Sequence, residues 1–130
     1  MLIRSVLCIV LPLALVVGCE KSTVEGPGAK KITLVKPADQ SVQRGSTEKV
    51  AVVVARSNFD GPVTIEFDNL PKGVSVADDG GKLEGNERTF VLTASADADL
   101  VDRHAVSVTA RGPDGMSVTE QFRLSVQTKG

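Results

Sequence analysis

Residues 63–73 read Val-Thr-Ile-Glu-Phe-Asp-Asn-Leu-Pro-Lys-Gly. Val63, Ile65 and Phe67 alternate with Thr64, Glu66 and Asp68, the period of two that marks a half-buried strand with one face inward and one outward. The strand then has to stop, because Pro71 fixes φ and Gly73 supplies the positive φ that a tight reversal needs. One alternating strand closed by one turn is the unit that recurs along the chain.

Downstream, Val74 to Ala77 is a short strand, and Asp78-Asp79-Gly80-Gly81 is a break. The ladder resumes at Arg88, with Phe90, Leu92 and Ala94 alternating with Thr89, Val91 and Thr93. Residues 96–101 cross over, Val106, Val108 and Ala110 mark the next strand, and Gly112-Pro113-Asp114-Gly115 is a hairpin turn. The last strand carries Val118, Phe122, Leu124 and Val126 inward. Glu120 falls on the same phase and is read as a bulge or a solvated portion, since an unpaired buried carboxylate is costly.

Upstream, Glu48 to Arg56 is apolar on both alternating faces, which predicts a central strand. Ile32 and Leu34 begin the first strand, and Val42 is taken to continue that edge after the Lys36-Pro37-Ala38-Asp39 break. Seven strands and no helical period predict an all-β fold, a single seven-stranded antiparallel sandwich over residues 32–127 with a tail at 128–130. About 95 residues suffice for one core and no more.

The N-terminus has a different character. One cation, Arg4, precedes an apolar run from Ser5 that ends in Leu15-Val16-Val17-Gly18-Cys19. The run is short for a membrane span and has the charged start and small-residue exit of a secretory signal. The Leu15–Cys19 stretch resembles the lipobox of bacterial lipoproteins, with Val16 where that family most often has leucine. The resemblance implies that residues 1–18 are a cleaved signal peptide and that Cys19 carries a covalent lipid. It also implies a cell-envelope location with the membrane as partner. Glu20, in place of aspartate, favours the outer membrane, facing the periplasm or the surface.

Residues 19–31 are then expected to be the lipidated cysteine and a flexible tether, reaching on the order of 20 Å as a coil. Cys8 would leave with the signal, so no intramolecular disulfide is available to the mature chain and the core alone must hold the domain. Of 15 basic and 16 acidic residues the signal takes only Arg4, leaving a formal net charge of −2. That balance argues against nucleic acid as a partner.

The stretch 56–74, Arg-Ser-Asn-Phe-Asp-Gly-Pro-Val-Thr-Ile-Glu-Phe-Asp-Asn-Leu-Pro-Lys-Gly-Val, resembles Ig-like modules of bacterial secreted and surface proteins, in which an F-x-G-x-V strand entry precedes L-P-x-G-V. The resemblance implies an immunoglobulin or fibronectin type III-like sandwich and leaves the task open. Paired cysteines, Trp and Tyr, the hallmarks of antibody domains, are missing.

Catalysis is disfavoured by inventory. His104 is the only histidine, set beside Arg103 and near Asp102 at a strand start, and no phosphate loop or metal-spaced His/Cys set occurs. The single cluster with ion chemistry is Asp97, Asp99 and Asp102, which lacks the glycine and distal glutamate of an EF-hand and reads first as a solvated acidic loop. With no Trp or Tyr there is no flat aromatic platform for sugars, and Phe59 is expected to tuck into the domain.

These features predict a non-catalytic binding, spacing or scaffolding module without a cofactor or small-molecule substrate, its partner an unidentified envelope protein. The competing reading is an accessory subunit, an inhibitor or chaperone of a periplasmic or surface enzyme. Strand counting from a flexible tether places the end bearing Asn69–Gly73 and residues 95–102 outward, so Asp97, Asp99, Asp102 and Lys72 are the candidate partner contacts.

Overall fold

Alternation in sequence becomes burial in space. In the computed structural model, which describes residues 21–129, Val63, Ile65 and Phe67 are buried while Glu66 and Asp68 face outward. The same phase buries Val50, Val52 and Val54, then Phe90, Leu92 and Ala94, then Val106, Val108 and Ala110. Phe67 sits at the centre, its ring edge-on to Phe90 at 5.2 Å and to Phe122 at 6.5 Å, an arrangement favoured by the ring quadrupole.

Ten strands carry this core: β1 (Lys21–Glu25), β2 (Lys31–Val35), β3 (Gln40–Gln43), β4 (Thr47–Ser57), β5 (Val63–Asp68), β6 (Val74–Val76), β7 (Lys82–Leu83), β8 (Glu87–Ala94), β9 (Val101–Arg111) and β10 (Ser117–Gln127). They form two five-stranded sheets, ordered β1-β2-β4-β8-β6 and β3-β10-β9-β5-β7. Within them β2-β4-β8-β6 has the A-B-E-D order and β5-β9-β10 the C-F-G order of an immunoglobulin-like sandwich. The fold is therefore all-β and Ig-like, as the alternation predicts. The additional strands are edges: β1 outside β2, β3 beside β10, and the two-residue β7 beside β5.

Two details depart from the sequence reading. The pairing is not wholly antiparallel, since β3 runs parallel to β10 with Gln40 opposite Leu124. Val42 does not extend the first strand; Pro37 interrupts the ladder and the chain changes sheets between Val35 and Gln40. The β4 strand is central, between β2 and β8, yet only one of its faces is buried. Ala51, Val53 and Ala55 line the solvent side, with Val53 36% exposed.

The largest correction concerns residues 19–31. From Lys21 onward this stretch is folded rather than a free tether. Lys21 to Glu25 pairs with Val35 to Lys31 through an unbroken antiparallel register, closed by a turn at Pro27–Ala29 in which Gly26 N–H donates to the Lys30 carbonyl at 2.9 Å. Val24 packs on the core. A strand with one apolar residue has no hydrophobic period of its own; here the hydrogen-bonding edge of β2 supplies the order. Residues 1–20, with the expected signal peptide and Cys19, lie outside the described residues.

The two ends of the sandwich follow from register. Arg111, Ser57, Lys31 and Val63 come together at one end, which carries Gly112–Gly115. The other carries Asn69–Gly73, the crossover 95–100 and the end of β10.

Candidate functional site

At the Gly73 end two loops are laced together. Asp99 N–H donates to the Lys72 carbonyl and Ser95 N–H to the Gly73 carbonyl, each at 2.9 Å. Gly73 has φ +88°, and a Cβ there would lie 2.6 Å from Ala98 Cα, so glycine is required both by the backbone and by the approach of the crossover. Ala98 is fully buried, and Arg44 Nε closes the arrangement by donating to its carbonyl at 2.7 Å.

The candidate residues divide on this frame. Lys72, Asp97 and Asp99 are exposed and share the end surface. Asp97 accepts from Ser95 Oγ at 2.8 Å, a local turn contact. Asp102 is drawn away from them, toward Ser125 Oγ on β10 at 3.5 Å. Among the described residues no three His, Cys, Asp or Glu side chains are grouped so as to hold a metal ion. The surface offers dispersed carboxylates beside one lysine, chemistry suited to a polar protein contact.

His104 is placed on β9 with Nε2 2.7 Å from the Asn69 carbonyl, while Asn69 Nδ2 donates to the Ala105 carbonyl at 2.9 Å. The pair clamps the Asn69 turn, whose φ is +63°, against β9. Phe59 packs against the core. The Asp78-Asp79 turn is also fixed: Asp79 accepts from Phe67 N–H at 2.9 Å, and Asp78 pairs with Arg88 at 2.9 Å, whose guanidinium lies 4.9 Å from the Phe90 ring centroid.

A feature missed in the sequence lies on the side of the sandwich where β1 and β3 flank β10. A cleft of about 430 Å³ is lined by Lys36, Thr119, Glu120, Gln121 and Arg123. At its margin Asp39 accepts from the Arg123 backbone N–H at 2.9 Å and pairs with Lys36 at 3.4 Å and Arg103 at 3.7 Å. The Arg123 amide, aided by the Lys36 ammonium and the Arg103 guanidinium, holds the Asp39 carboxyl below its ordinary pKa, with burial opposing. Glu120, half-buried, accepts from Ser22 Oγ of β1. The only signal in the sequence was the Lys36–Asp39 break; the other half comes from residues more than 80 positions later.

No protein-family model and no characterised protein matches the chain. Solved structures similar to it are immunoglobulin-like. A chain from a complex of titin M10 with an obscurin-like 1 Ig mutant is 16% identical with a TM-score of 0.49, covering 85% of this chain and 99% of that one. The BIgI domain of the beta protein from S. agalactiae, solved bound to CEACAM1, is 14% identical with a TM-score of 0.42, covering 87% and 100%. An Ig-like domain of human obscurin-like protein 1 is 15% identical with a TM-score of 0.39, covering 87% and 92%. Likeness at this level carries no function across, and the strand order remains the basis of the fold assignment.

Proposed function

We propose that the chain is a lipid-anchored, non-catalytic Ig-like module of the bacterial cell envelope, which binds, spaces or scaffolds another envelope protein. The observation that carries the reading is the juxtaposition of the Leu15–Cys19 lipobox-like stretch with a sandwich that begins at Lys21. Cys19 is the sole cysteine beyond the signal, so acylation gives it a role that disulfide formation cannot. The domain needs no such bond, since a continuous apolar core runs between its sheets and no buried side-chain polar atom among the described residues lacks a partner. Protein contact is assigned to loop and strand surfaces, where among the described residues the exposed large hydrophobic side chains are Val53 and Leu100 and the rest is largely polar or charged.

The test is Cys19→Ser. Acyl chains contribute about 0.8 kcal/mol of membrane affinity per buried CH₂, so the wild-type protein should partition into the detergent phase, and intact mass should show a cleaved, acylated N-terminus. The variant should remain uncleaved at that site or become soluble. Unchanged partitioning would reject the anchor.

A further inference from the structure

The anchor just proposed, on which this inference rests, has a short leash. Cys19 stands two residues before Lys21 in the sequence, and Lys21 is already paired with Val35 in the β1–β2 ladder. Two residues span at most about 7 Å, where the whole stretch to Lys31 as a coil would reach on the order of 20 Å. A lipid on Cys19 therefore keeps the start of β1, and the surface around it, against the bilayer.

That surface is the cleft side of the sandwich. Lys36 follows directly after the residue that pairs with Lys21, and it lines the cleft together with Arg123. Arg103 joins them through Asp39. Lys21, Lys36, Arg103 and Arg123 thus stand against three carboxylates, Asp39, Glu120 and Asp102, on a mature chain whose formal charge is negative. All three carboxylates are engaged within the fold, Asp39 by Lys36, Arg103 and the Arg123 amide, Glu120 by Ser22 and Asp102 by Ser125. The local excess of cations coincides with the point where the leash emerges.

We infer that this side rests on anionic lipid headgroups, so the sandwich lies edge-on to the membrane with β1 and β3 inward. The strands run along the bilayer instead of standing up from it. This replaces the orientation expected from a flexible tether, in which the Gly112 end would face the membrane. Here both loop ends are lateral, and the β6 and β7 edges project outward.

The acylated protein carries no other thiol, because Cys8 leaves with the signal, so single cysteines report position. Gln121→Cys in the cleft, Asp60→Cys at the Gly112 end and Lys82→Cys on the β7 edge are each labelled with a fluorophore. The proteins are reconstituted in phosphatidylcholine vesicles, with and without phosphatidylglycerol, that carry a headgroup quencher. The Gln121 label should be quenched several-fold more than the other two on anionic vesicles. The difference should shrink with added salt, as screening shortens to about 3 Å at 1 M, and in Lys36→Gln/Arg123→Gln. That variant keeps the Arg123 amide bond to Asp39, so its melting temperature serves as the fold control. Equal quenching at all three sites, or strongest quenching at Asp60→Cys, would overturn the inference while leaving the anchor intact. Failure of the wild-type protein to float with vesicles of either composition, or flotation undiminished by Cys19→Ser, would overturn the anchor, and the inference with it.

Discussion

The Ser22 hydroxyl donates to Glu120 at 2.5 Å, joining residues 98 positions apart. Glu120 lies on the inward phase of β10 opposite Val108 with no bulge; the register shift in that strand falls between Leu124 and Val126. The carboxylate is tolerated because it reaches the side of the sandwich where β1 crosses and provides a donor. Ser22→Ala removes that donor and should cost about 1–2 kcal/mol in denaturant unfolding. Ser22→Ala combined with Glu120→Val should recover part of the loss, since an apolar pair leaves no stranded carboxylate. A fully additive double mutant would show that the two residues do not interact.

Phe67 and its neighbour test the strand phase. Phe67→Ala leaves a cavity between Phe90 and Phe122 and should cost roughly 3–5 kcal/mol. Glu66→Ala removes only an exposed pair with Arg111, 2.8 Å apart, and should cost less than about 1 kcal/mol. Equilibrium unfolding of both variants decides the point, and equal losses would reject the phase.

Gly73→Ala combines an unfavourable positive φ with a clash at Ala98, and should destabilise by roughly 1–3 kcal/mol. Hydrogen exchange should show the loss concentrated in residues 95–100. An unperturbed crossover would mean that the two loops are not interlocked.

Asp39 predicts a pH response. Its folded pKa lies below the ordinary value of 3.8, so its stabilising contribution is complete above that value and is lost as pH falls through the lower folded one. The side chain is 43% exposed, and screening keeps the effect under about 1 kcal/mol. Asp39→Asn should therefore be slightly less stable at neutral pH, with the difference vanishing in strong acid. A melting-temperature difference that grows on acidification would contradict the assignment.

The acidic crossover should be indifferent to calcium. Asp97 is held by Ser95 and Asp102 is turned toward Ser125, so added calcium or chelator should leave the melting temperature unchanged. A shift abolished by Asp99→Ala would establish a site. Charge reversal of Asp97 and Asp99, which share the exposed end surface with Lys72, should weaken capture of an envelope partner with little loss of stability.

What the sequence disclosed and what it hid follow from the range of the interactions. Val63, Ile65 and Phe67 declare their phase because each is buried by its own strand's geometry, and Pro71 with Gly73 declares the turn. Lys21–Glu25 was silent because its order is borrowed from β2, and Val42 misled because alternation does not say which sheet a strand joins. The odd face of β4, Ala51, Val53 and Ala55, is as apolar as its buried face, so composition says that the strand is central but not which face meets solvent. The cleft was invisible because Lys36 and Arg123 become neighbours only after β3 lies alongside β10.

That last pairing also governs when the protein can fold. The sheet containing β2, β4 and β8 has all its strands once residue 94 has been made, yet its inner face, with Leu34, Val52 and Phe90, has nothing to cover it until β9 and β10 follow. β3 must wait for the same final strand. A chain that emerges N-terminus first thus passes through an interval with a greasy half-sandwich exposed, and such non-local closure is slow and prone to aggregation. Completion depends on the last few residues synthesised, so a chain truncated before Leu124 should be cleared by proteolysis rather than persist as a partly working module.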